Sequence, residues 1–262
     1  MKSKSVFRLV RKGSRNLAAA IVTLLVSQAA HAATYTWTPT ATGTYAWNDT
    51  TSKWTTGFPN AIGDVANLNI NLAGAQTINL GTGITIGTLN LSDTTTSPFF
   101  ATTLADGTGG SLAFDAFGSC NAQLNKTTAA NSANDIISAT VTLNDNLDLA
   151  NSSTTAGGTL TLSGGITAGT AGTKSIANLG TGTQGIILGG VIGKGSGDVA
   201  LVQDSFTSAL TLNGSAVNTF TGGVNIKRGT LQLDFSSLAT PTDLLDAGNA
   251  LTLGSGILSI KG

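Results

Sequence analysis

Apolar residues in this chain recur at every second position, in runs of two to four, and each run gives way to Gly, Asn, Ser or Thr. Val65-Ala-Asn-Leu68-Asn-Ile70-Asn-Leu72 sets Leu68, Ile70 and Leu72 on one face and three Asn on the other. Ile84-Thr-Ile86, Leu89-Asn-Leu91, Val141-Thr-Leu143, Leu147-Asp-Leu149, Leu160-Thr-Leu162 and Leu210-Thr-Leu212 repeat the theme. Val224-Asn-Ile226, Leu231-Gln-Leu233, Leu251-Thr-Leu253 and Ile257-Leu-Ser-Ile260 continue it toward the end. A period of two in short runs specifies half-buried β-strands.

Strands this short bury about three aliphatic side chains each, too few to offset their own ordering entropy unless many units stack on one another. The composition agrees: 34 Gly, 10% charged residues and 5% aromatic residues suit tight corners and a narrow aliphatic interior. All 13 acidic residues are Asp, and the absence of Glu removes a leading helix former. The fold expected is all-β, a right-handed parallel β-solenoid over 64–262 with cap strands over 33–63. The alternative, a β-sandwich, calls for longer strands, more aromatic core and regular hairpins. Two turn-rich stretches, near 92–110 and 116–135, are expected to bulge from the column, and a short helix is considered over Asn121 to Asn134.

Residues 1–32 read as a signal peptide: six Lys and Arg, the apolar run Leu17 to Val26, then the small-x-small exit Ala30-His31-Ala32. The expected partner is a Sec-type export machinery, and the expected location is the cell surface, the outer membrane or the medium. The apolar run is shorter than the roughly 20 residues of a membrane span, and no later run is longer. After cleavage seven Lys and Arg face 13 Asp, a net of −6 that argues against nucleic acid as a partner.

Cleavage also removes His31, the single His, and leaves Cys120 as the single Cys. A Ser-His-Asp or Cys-His pair, a His-ligated metal and an internal disulfide are then excluded. No cofactor is expected. Gly180-Thr-Gly182-Thr-Gln-Gly185 spells a dinucleotide fingerprint, but a short strand and more glycine follow it where a helix is required. Asp106, Asp145 and Asp148 read as solvated turn carboxylates in preference to calcium ligands. Lys227-Arg228 reads as a solvated turn, or in a second reading as the base of a polysaccharide-active β-helix enzyme with calcium-binding Asp residues.

Asn218, Thr219, Phe220, Thr221, Gly222, Gly223, Ile226, Gly229, Thr230, Leu231 and Leu233 lie in one segment, 216–233. It resembles the autotransporter-associated β-strand repeat, also called the passenger-associated transport repeat, with a looser echo over 250–260. The resemblance implies a β-helical passenger, surface-exposed or secreted, whose repeats aid secretion and folding. Tyr35-Thr-Trp37, Trp47-Asn-Asp49, Trp54 and Gly63 to Leu68 look like the opening of long proteins of that kind.

Tyr35, Trp37, Tyr45, Trp47 and Trp54 hold all the Tyr and Trp of the chain. They read either as a cap over the first coil or as a platform for sugar rings. The last segment resembles a mid-array strand, so the chain is expected to be the front of a longer passenger. The function expected is a non-catalytic scaffold assisting secretion, folding or adhesion, with extracellular glycan or a cell surface as the possible partner.

Overall fold

The computed structural model describes residues 32–238 and 243–262. All of the expected signal peptide except Ala32 lies outside the described residues. Within them, two nine-stranded sheets and one four-stranded sheet stack into a β-solenoid with no α-helix. No helix among the described residues is long and apolar enough to cross a membrane.

Each rung contributes one strand to each of the two long faces, and rungs two to five add a third strand to the short face. Rung one is Thr34–Thr36 and Gly43–Ala46; rung two is Val65–Ile70, Gln76–Asn79 and Gly83–Ile86. Rung three is Thr88–Asp93, Thr102–Ala105 and Ser111–Phe114; rung four is Ala122–Lys126, Asp135–Ile137 and Thr140–Leu143. Rung five is Leu147–Asn151, Leu160–Leu162 and Ile166–Ala168; rung six is Thr173–Asn178 and Ile186–Leu188. Rung seven is Asp198–Asp204 and Leu210–Leu212, rung eight Val224–Arg228 and Thr230–Asp234, rung nine Leu251–Leu253 and Ile257–Lys261.

Every pairing between these strands is parallel, which the antiparallel β-sandwich alternative cannot supply. The register puts like side chains over like. On the second face Ile78, Leu104, Ile137, Leu162, Leu188, Leu212 and Leu233 form one continuous column. On the third face Ile84, Leu112, Val141 and Ile166 do the same. Each fully buried Leu or Ile contributes about 1.5–3 kcal/mol relative to exposure, so the column as a whole supplies what a single rung lacks. Outside the first sheet an amide ladder follows the same register: Asn90 Nδ2 donates to Asn67 Oδ1 at 2.7 Å, and Asn125 Nδ2 to Asn90 Oδ1 at 3.0 Å.

The two stretches expected to bulge are mostly turn, at 94–101 and 106–110 and at 116–121 and 127–134, but each also carries a strand of the column. Thr102–Ala105 lies within the first and Ala122–Lys126 within the second, and the considered helix over Asn121 to Asn134 does not form. The reason is a buried anchor at each place. Asp93 Oδ2 accepts the Phe100 N–H at 2.7 Å, and Oδ1 accepts those of Leu72 and Thr95, tying the long turn down before the next strand begins. Lys126, fully buried at the end of its strand, reaches across the turn to Asp135.

The corner between the first and second faces is lined by polar side chains in successive rungs. Asn151 Nδ2 donates to Gly158 O and Gly185 O; Asn178 Nδ2 donates to Gln203 Oε1 and Ser208 O. Gln203 Nε2 donates to Ser205 O and Ser208 O. Buried amides are stable only when paired, and no buried side-chain nitrogen or oxygen among the described residues lacks a partner. Rung four fills this corner differently, with the Lys126–Asp135 ion pair.

Candidate functional site

The tyrosines and tryptophans gather on and beside rung one. Trp37, Trp47 and Trp54 are buried, and their rings meet edge to face at centroid distances of 5.0 Å (Trp37 to Trp54) and 4.7 Å (Trp47 to Trp54). Their indole N–H groups donate to Gln76 Oε1, Pro59 O and Trp47 O, all within the protein. Rings enclosed on this scale offer no face for a sugar to stack on, which corrects the platform reading for the three Trp. Tyr35 and Tyr45 are half-buried; Tyr45 packs its ring on Trp37 at 5.8 Å and donates its hydroxyl to Ala41 O. Burial, helped by the Asp64 charge, pushes the Tyr35 hydroxyl above its ordinary value.

The repeat-like segment forms the turn that leads into rung eight. The third sheet has already thinned to a single bridge, Ile166 to Ile192, and Asn218 continues it with its side chain. Asn218 Oδ1 accepts the Ile192 N–H at 2.7 Å, and Nδ2 donates to Leu244 O at 2.8 Å. The Thr219 N–H donates to Ile192 O, and Phe220 is fully buried in the column. Thr221 donates both its N–H and its hydroxyl to Asp198, and the Gly223 N–H reaches Asn249 Oδ1. Val224, Ile226, Leu231 and Leu233 are buried, while Thr230 starts the next strand. Gly229 makes the corner between the two strands at φ 69°, and a Cβ there would stand 1.7 Å from Ser205 O, so no side chain fits.

The other sequence candidates separate. Gly180, Gly182 and Gly185 lie in a corner followed by the strand Ile186–Leu188; a Cβ on Gly182 would meet Ser153 O at 2.1 Å, so close rung approach accounts for it. Asp145 Oδ2 accepts the Ala116 N–H, and both oxygens of Asp148 face Asn121 Nδ2. Asp106 lies on a separate turn, where its backbone carbonyl accepts the Gly110 N–H. Among the described residues no three His, Cys, Asp or Glu side chains come together as metal ligands would. Cys120 is exposed at the rim of a cavity of about 200 Å³ that Phe117, Thr88 and Gln123 also line.

Lys227 and Arg228 are joined by two residues that sequence reasoning missed. Asp204, one rung below, pairs with Arg228 Nε at 2.5 Å and with Lys227 Nζ at 3.3 Å. The Arg228 guanidinium lies 4.9 Å from the Phe206 ring centroid, and Phe206 is 74% exposed. Ser205 sets this up: its hydroxyl donates to Gly180 O and accepts the Ser208 N–H, so the chain turns and Phe206 is left outside. The spacing of 24 positions between Asp204 and Arg228 is one rung, a signal present in the repeat period. The patch offers two cations against one carboxylate and an open aromatic ring. A guanidinium held against a carboxylate is a poor proton acceptor, so Arg228 presents a fixed positive charge here.

No family model, no curated protein and no solved structure matches this chain.

Proposed function

We propose that this chain is an exported, non-catalytic β-solenoid that serves as the scaffold of a cell-surface or secreted passenger. The observation that carries the reading is how the repeat-like segment is used. Asn218, Phe220, Thr221, Ile226, Gly229, Leu231 and Leu233 are all engaged in closing and stacking their own rung. A motif whose residues are taken up by the architecture fits a sequence kept for building a column, and the resemblance to passenger repeats supports the same reading.

The test is fractionation of cells carrying a C-terminally tagged chain, with N-terminal sequencing of the product. The expected species begins near Ala33 and is found at the surface or in the medium. An intact N-terminus retained in the cytosol would overturn the reading.

One observation favours a second reading, an acidic-glycan contact: Phe206 stands open beside Arg228 and Lys227. Aromatic rings stack on sugars and cations meet uronate carboxylates. Retention on an immobilised polyuronate that is lost in Phe206→Ala favours it; equal flow-through of both proteins sinks it. If that retention is accompanied by calcium-dependent loss of polyuronate viscosity, the chain is an enzyme and the scaffold reading fails.

A further inference from the structure

We propose that Lys126 and Asp135 condense within the folded protein to an intramolecular isopeptide bond. Both side chains are fully enclosed, and Lys126 Nζ donates to Asp135 Oδ2. The remaining polar partners are already placed for the product. Asp135 Oδ1 accepts the Thr102 N–H at 2.8 Å, and Lys126 Nζ also donates to Ala133 O at 2.8 Å.

The balance needs no co-reactant. Transfer of one proton from Nζ to Oδ2 turns the ion pair into an amine and a carboxylic acid. The Nζ lone pair attacks Cγ, and charge develops on Oδ1, where the Thr102 N–H already points. The Cγ–Oδ2 bond breaks, a second proton passes from nitrogen to Oδ2, and one water leaves. Nothing is oxidised or reduced. The amide oxygen keeps the Thr102 N–H and the amide N–H keeps Ala133 O, so the product leaves no buried group without a partner.

Two features of the corner favour this outcome. Rungs five to seven bury neutral amides toward the end of their first-face strands, Asn151, Asn178 and Gln203; in the sheet register Asn151 stacks directly on Lys126 and Gln203 on Asn178, while Asn178 lies over Leu149. Condensation would make rung four an amide like the rest and remove two charges from a place where water does not reach, which is costly for ions. In addition, burial pushes the Asp135 carboxyl above its ordinary value despite Lys126 and the Thr102 N–H, and the charge of Asp93 adds to the rise, which favours the acid form that the reaction needs. The bond would close a ring around the turn 127–134.

Intact-mass spectrometry of the full purified chain tests this. The expected mass is one water, about 18 Da, below that calculated for the N-terminus found. Trypsin is expected to leave Lys126 uncut, giving one peptide over 54–174, short by one water and yielding no fragment ions from within 127–134. Lys126→Met and Asp135→Ala are expected to restore the full mass. If either variant fails to fold, the wild-type peptide map alone decides. Ordinary cleavage after Lys126 at full mass overturns the proposal. So does a loss of water that maps to Asp106-Gly107, where a cyclic imide forms instead.

Discussion

Thr221 grips Asp198 with two hydrogen bonds, its N–H to Oδ1 at 2.8 Å and its hydroxyl to Oδ2 at 2.6 Å. One rung is thereby pinned to the next at the entrance to the first sheet. Partial burial acts to raise the Asp198 carboxyl, but the Thr221 bonds, the Val199 N–H and Lys194 outweigh it and hold the group below its ordinary 3.8. A carboxyl lowered in the folded state contributes stability above its unfolded value and loses it as pH falls through the folded one. Thr221→Val keeps the shape and the backbone donor but removes the hydroxyl. The expected cost is about 1.5–3 kcal/mol at neutral pH, since the acceptor is charged. Urea unfolding at pH 7 checks it, and a carboxyl NMR titration is expected to show Asp198 moving upward in the variant.

Asn218→Ala leaves the Ile192 N–H and the Leu244 carbonyl facing a gap. Each buried group left unpaired costs about 1–3 kcal/mol, so a loss of about 2–5 kcal/mol is expected in denaturant unfolding. Asn218→Asp is expected to restore the first bond alone, because a carboxylate has nothing to donate to Leu244 O. Its stability is expected to improve as pH falls and the carboxyl gains a proton to donate.

Trp47→Ala is expected to cost about 3–5 kcal/mol, the usual penalty for emptying a buried aromatic site. The wild-type chain is expected to show blue-shifted tryptophan emission, resistant to soluble quenchers, because all three indoles are enclosed. Soluble saccharides are expected to leave that emission unchanged. A saccharide-dependent shift in it would place an open indole face where the structure has none.

Asp234 is lowered from 3.8 to about 2 by Lys261 Nζ and by the hydroxyl and N–H of Ser236. Its contribution to stability is present above 3.8 and is lost as pH falls through about 2. Lys261→Met is expected to move the titration back toward the ordinary value, read by carboxyl NMR shifts between pH 1.5 and 5 (roughly the range over which such a lowered carboxyl titrates).

The column was legible in the sequence because aliphatic alternation is a direct record of which face is buried. Leu147 and Leu149, Leu160 and Leu162, and Leu210 and Leu212 all point inward as their spacing demands. The corners were less legible. Asn151 and Asn178 have the same letters as the solvent-facing Asn67 and Asn90, and only tertiary contact separates a buried amide from a wet one. Lys126 was equally hidden: a lysine in a polar run carries no mark of burial, and its partner Asp135 lies beyond a turn whose path the alternation does not report. The Asp204–Phe206 patch required knowing that one rung separates Asp204 from Arg228. The aromatic group was found from sequence, but composition could not say whether its rings faced out or in.

Parallel register also governs how such a molecule can change over generations. Leu147 of rung five rests on Ala122 of rung four and carries Ile176 of rung six, each strand pairing with the strands of the rungs on either side. Excising one complete rung would seat Ile176 on Ala122 and break chiefly the contacts made at that layer. Gain or loss of whole layers therefore alters reach without redesign of the ends, and a lesion at one corner should find its genetic suppressors one layer away.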